Sequence, residues 1–179
     1  MRTVFDSLTA RIYTSDFRVY GHMHLPPNQE SAWHLNRSDR IFLPLTEAIV
    51  YRAGFSHPPS EAEFRASVAF ITIPLSKILW VVGGRCAEIH EDQSTREVYV
   101  LYPDYFLKGE LRMAKNVRLS SHLSEISYPK NFQTLYNVSL GIANKDQLLK
   151  DTPSLEFFDF ATVNMANVGG VFDLSMDNP

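Results

Sequence analysis

The sequence predicts an all-β protein built as two tandem five-stranded small barrels, with short helical turns in the loops. Three observations predict it: an internal repeat, period-two alternation inside the repeated blocks, and a glycine in the middle of the second strand of each copy. The first barrel is expected over residues 1–88 and the second, more divergent, over 89–179.

The repeat is seen by sliding the chain so that Asp16 lies over Asp104. IYTSDFRVYGHMHLPPN (12–28) then lies over VLYPDYFLKGELRMAKN (100–116), with Gly21 on Gly109 and Asn28 on Asn116. The offset runs without a gap to His34–Leu35 over His122–Leu123. A two-residue shift puts Phe42 and Leu45 over Phe132 and Leu135. Losing three residues in the next loop aligns Ser67 with Ser154, Phe70 with Phe157 and Gly83 with Gly170.

Within the blocks the residues alternate. Phe17, Val19, Met23 and Leu25 fall on one face, and Arg18, Tyr20, His22 and His24 on the other. That period marks a half-buried strand. Gly21 and Gly109 interrupt it, and a glycine there is explained by a sharp bend that lets one strand serve both sides of a small barrel. Strands are expected near 8–15, 17–25, 41–52, 67–74 and 77–83, and again near 96–103, 105–113, 132–141, 154–161 and 163–173. QESAWHLN and VRLSSHLS each read as a helical turn between strands two and three. In the long loop 53–64, Pro58-Pro59 forbids regular pairing and PSEAEF adds a short helical turn. RCAEIHEDQST (85–95) reads as the link between copies.

The blocks FRVYGHMHLP, HLNRSDRIFLPLTEAIVY and FITIPLSKILWVV carry a resemblance to the SH3-like and Sm-like small barrels. The closer resemblance is to an uncharacterised bacterial domain family of that kind, over roughly residues 8–83. It implies a fold and no activity. Sm-like proteins bind RNA and assemble into rings, but this chain lacks their basic pattern and has longer loops.

Composition bounds the function. With 45% hydrophobic and 21% charged residues the chain is globular. Its net charge is −3, and residues 1–88 hold 9 Lys/Arg against 8 Asp/Glu, so a general affinity for polyanions is not expected. Cys86 is the single cysteine and cannot form an intramolecular disulfide. The N-terminus MRTVFDSLTARIY has no long apolar run and no window suits a membrane helix, so a bacterial, cytoplasmic protein is expected.

No nucleophile motif, phosphate loop or acid/base carboxylate pair is present, so no catalytic residue, cofactor or metal ligand is assigned and an enzyme is not expected. His22 and His24 share a strand face, but their repeat partners are Glu110 and Arg112, so they read as exposed histidines rather than ligands. His34 and His122 coincide in the repeat and read as packing and hydrogen-bonding residues that fix a turn. The strands SVAFITI, KILWVVGG and LEFFDFATV are apolar on both phases and read as covered on both sides. Phe70, Trp80 and Phe157 are therefore the expected interface residues. The expectation is a non-catalytic interaction or scaffold module that binds a protein partner or itself; an Sm-like RNA-binding protein is the alternative.

Overall fold

A computed structural model describes residues 4–54, 60–88, 90–126, 131–143, 149 and 152–173. The protein is all-β. Ten strands are described: β1 (Asp6–Thr14), β2 (Phe17–Leu25), β3 (Phe42–Arg52), β4 (Phe64–Pro74), β5 (Ile78–Gly83), β6 (Gln93–Leu101), β7 (Tyr105–Ala114), β8 (Phe132–Ile142), β9 (Ser154–Asn164) and β10 (Gly170–Phe172). Helix α1 (Ser31–Leu35) follows β2 and α2 (Leu119–Ser124) follows β7, where the two polar stretches stood. PSEAEF contributes a 3-10 turn, Glu61–Glu63, closed by a capping box from Ser60. Pro58 and Pro59 lie outside the described residues.

The chain divides into two compact units. The first comprises Met1–Ala87 with Ser127–Gln133 and Thr162–Asn167; the second comprises the rest, from Glu88. In the first unit the strand order is β5-β1-β2-β3-β4, with antiparallel pairing from β5 through β4. Its core lies on the face carrying Ile12, Val19, Met23, Leu45, Ile73 and Val81. The short segments are built into it by amide side chains. Asn36 donates from Nδ2 to the Phe132 carbonyl and accepts from the Phe132 N–H, both at 2.8 Å. Asn164 donates to the carbonyls of Leu75 and Ile78 at 3.2 and 3.0 Å.

The second unit has the order β10-β6-β7-β8-β9. Its buried residues include Val98, Val100, Leu107, Leu111, Leu135 and Val138. Neither order closes on itself through its described pairings, so the expected pair of closed five-stranded barrels is not confirmed.

Several local features occur at matched positions in the two units. Asn28 and Asn116 sit at φ 62° and 65°, in the left-handed region that asparagine tolerates. Strands β2 and β7 each lose register against the next strand at the mid-strand glycine, between Tyr20 and His22 and between Lys108 and Glu110. Opposite those glycines stand Glu47 and Asn137, both at φ 49°. A Cβ on Gly21 would lie 3.1 Å from the Thr46 carbonyl and the Ala48 Cβ; on Gly109 it would lie 3.1 Å from the Tyr136 carbonyl and the Val138 Cγ2. Both glycines therefore allow the close approach of a bulged neighbour.

The last blocks correct the expected alignment. The Leu75 N–H donates to Ile41 and the Met165 N–H to Asn131, in 3-10 turns that follow β4 and β9. That correspondence keeps the spacing of Phe42 and Phe132, so no residues are lost in the preceding loop. Ser67 does not correspond to Ser154, nor Phe70 to Phe157. The glycines set on one another by the sequence also differ: Gly83 has φ 99° and a Cβ there would lie 2.4 Å from the Thr9 carbonyl, whereas nothing lies within 4 Å of a Cβ on Gly170. A three-residue slip is odd and turns every side chain to the wrong face, which matching a few identities does not detect. Residues 163–173 are likewise not one strand. They hold the end of β9, a turn and the short β10.

Candidate functional site

The structure separates the three expected interface residues. Trp80 is 1% exposed and stacks on Tyr13, its cross-strand partner on β1, at 4.6 Å between ring centroids. Phe70 and Phe157 are 59% and 75% exposed. His22 and His24 are half-buried rather than solvated. The His24 Nε2 lies 2.9 Å from the Thr46 hydroxyl and the His22 Nε2 lies 3.6 Å from Glu47. Their cross-strand neighbours at the bulge cover them.

The face of the first unit opposite its core carries an aromatic track that crosses four strands. The Arg11 guanidinium lies over the Tyr20 ring at 5.7 Å. Tyr20 meets Tyr51 edge-on at 5.3 Å, and Tyr51 meets Phe64 edge-on at 6.3 Å. Pairing places them. The two-residue turn after Thr14 sets Arg11 opposite Tyr20, β2–β3 pairing sets Arg18 opposite Tyr51, and β3–β4 pairing sets Tyr51 opposite Phe64. Edge-to-face packing is the favoured geometry for such pairs and leaves ring surface outward. Tyr20 and Tyr51 are half-buried and Phe64 is exposed.

A cleft lies at each end of the track. One, of about 380 Å³, is lined by Arg11, Tyr20, Gly21, His22, Glu47 and Gly83 among others. The bulge at Gly21 and Glu47 shapes it. The other, of about 390 Å³, is lined by Tyr51, Ser60, Glu61 and Phe64. Each contains an exposed carboxylate, Glu47 or Glu61. Beneath the second, Arg18 is buried and holds Glu63 at 2.9 Å, while the Ser60 N–H and hydroxyl both donate to the other oxygen of Glu63. This fixes the loop that borders the cleft.

The matched positions of the second unit do not form a track. Lys108 stands for Tyr20, Gly141 for Tyr51 and Ser154 for Phe64. The cation and ring of the first pair exchange strands: Lys108 lies over Tyr99 at 5.6 Å and binds Glu97 at 3.0 Å. That ion pair raises the Lys108 pKa. Phe172, where the first unit has Val82, stacks on Tyr99 at 5.4 Å.

The repeated histidines sit alike on their helices: His34 N–H donates to Glu30 and His122 N–H to Arg118, both at 3.0 Å. His34 is 1% exposed and, among the described residues, neither ring nitrogen has a hydrogen-bond partner; the His122 Nε2 is buried and also lacks one among them. Burial first, then the charges of Arg40 and Arg37, lower the His34 pKa to about 4, with Asp39 opposing them. The unfolded chain therefore takes up this proton first, near pH 6.5. Stability is complete above that pH and falls as pH drops towards 4. Between pH 6.5 and 5 the expected loss is about 2 kcal/mol. Urea titrations across this range measure it, and His34→Gln should flatten the dependence; an unchanged slope in that variant would assign the loss to other groups.

Among the described residues no cluster of three or more His, Cys, Asp or Glu suits a metal ion. No described helix is long and apolar enough to cross a membrane. The site offers rings, one guanidinium and two carboxylates on a rigid sheet, a surface suited to holding a ligand by stacking and hydrogen bonding. Searches against protein families, characterised proteins and solved structures find no match.

Proposed function

We propose that the chain is a non-catalytic interaction module of the bacterial cytoplasm, formed by duplication of one SH3-like or Sm-like small barrel, whose first copy holds an extended peptide. Support for the duplication comes from the shared strand order, the paired bulges and the matched turn bonds. The observation that carries the peptide reading is the track Arg11–Tyr20–Tyr51–Phe64, kept in one unit and lost in the other. Proline-rich segments bind aromatic-lined grooves because their extended helix is already formed. That helix rises about 3.1 Å per residue, so each ring-to-ring step of 5.3 or 6.3 Å takes about two residues.

RNA bases could stack on the same rings. The exposed carboxylates Glu47 and Glu61, one in each cleft, oppose a phosphate chain there and favour peptide.

The test is fluorescence anisotropy with labelled proline-rich peptides, with and without arginine, and with labelled oligouridine. At least one peptide class should bind. Phe64→Ala should weaken it by about tenfold, roughly 1.4 kcal/mol, while Lys108→Ala in the second unit should leave it unchanged. Oligouridine binding with a steep salt dependence, and no peptide binding, would replace this reading with the RNA one.

A further inference from the structure

We propose that β4 is a self-association edge, pairing antiparallel with β4 of a second copy of this chain. This does not rest on the peptide reading. Strand β4 spans Phe64–Pro74 and ends the strand order of the first unit, with β3 as its one strand neighbour among the described residues. An open edge presents unpaired backbone groups to any other strand, and proteins ordinarily protect it with charge, a bulge or a cover. In β4 the bulge and the one charge, at Arg65, are confined to the first residues, and no charged residue occurs from Ala66 to Ser76. The corresponding strand of the second unit, β9, carries Glu156 and Asp159 where β4 has Ala66 and Ala69.

The edge is also where exposed apolar side chains gather. Phe70 is exposed mid-strand, and Ile41 and Phe42 are exposed beside the far end, where Phe42 pairs with Pro74 and Ile41 accepts from Leu75. A cluster of this kind marks a contact surface. Neutrality selects the occupant. A charged segment gains nothing on this strip, while a second copy brings the same uncharged run, Ala66–Ser76, to it. Antiparallel pairing centred on Phe70 sets Arg65 opposite Leu75 of the partner subunit, so no like charges meet. The contact is self-complementary and closes as a two-fold dimer.

Light scattering on the full chain, in line with size exclusion and from micromolar to hundreds of micromolar protein, tests it. The expected mass is twice the 20.4 kDa of one chain. Phe70→Lys should shift the dissociation constant upward by at least about 100-fold and yield monomer, with an unchanged far-UV spectrum. Thr72→Lys, also at an exposed position of β4, is the second variant should the first misfold. Wild-type protein that stays monomeric throughout, or a dimer that survives both substitutions, overturns the proposal.

Discussion

Trp80→Ala is expected to destabilise the protein by about 3–5 kcal/mol, the range for truncating a buried aromatic. Trp80 lies on β5 opposite Tyr13 of β1, with the two rings nearly parallel at 18° and 4.6 Å apart. Alanine removes the ring that covers one face of Tyr13 and leaves a cavity that a paired strand cannot collapse to fill. Domains are stable by only about 5–15 kcal/mol, so the loss is a large fraction of the whole. For a chain of this length each kcal/mol lowers the melting temperature by about 2–4 °C, giving a fall of roughly 10 °C. Phe157→Ala, at a 75% exposed position, should stay within about 0.5 kcal/mol. Paired thermal melts decide it. Equal small effects would mean that the Tyr13–Trp80 stack contributes little to folding.

Glu63→Ala should cost a similar amount for a different reason. Arg18 is 2% exposed on β2, and its partners include the Glu63 carboxylate at 2.9 Å and the Arg52 carbonyl at 3.4 Å. Breaking a buried ion pair by removing one partner costs about 3–5 kcal/mol, because the remaining charge stays desolvated. Glu63 also accepts from Ser60, so its loss opens the capping box and frees the loop beside Tyr51 and Phe64. The double variant Arg18→Met with Glu63→Leu removes both charges and should recover most of the stability. The second unit illustrates the apolar solution: Phe106, buried, occupies the place of Arg18. A double variant as unstable as the single one would show that the loop's cap, rather than the buried charge, dominates.

Much of the architecture was legible in the sequence because it depends on local signals. Alternation located β2 and β7, the repeat placed most of the other strands to within a few residues, and the mid-strand glycines, read as bends of a barrel strand, stand at both bulges. The two helical turns followed from short polar stretches between strands. What escaped depends on register. Trp80 and Phe70 both sit in apolar runs, and only strand pairing shows that Trp80, on β5 beside β1, faces a ring while Phe70, on β4 beside β3, is exposed. The slip that set Ser67 on Ser154 has the same origin, since a seven-residue window holds too few identities to fix a strand's face.

The aromatic track was missed for a related reason. Tyr20, Tyr51 and Phe64 are far apart in sequence, and only cross-strand pairing assembles them. One step was within reach: the two-residue turn at Ser15–Asp16 already places Arg11 opposite Tyr20. The reversed pair Tyr99–Lys108 in the second copy would have marked those positions as interacting. His34 is expected to pack and to hydrogen-bond; it is buried, but no described residue bonds either ring nitrogen, and its lowered pKa comes from burial that no local pattern encodes.

Backbone amide shifts of isotopically labelled protein, followed by NMR as a bound proline-rich peptide is titrated in, test the central claim most directly. Shifts are expected to cluster on residues 9–13, 18–22, 46–52 and 61–66, along both clefts and the track between them. Residues 97–110 and 136–142 at the matched places of the second unit should stay still. Shifts confined to the second unit, or scattered over both without a cluster at Tyr20, Tyr51 and Phe64, would contradict the assignment of the track as the binding site.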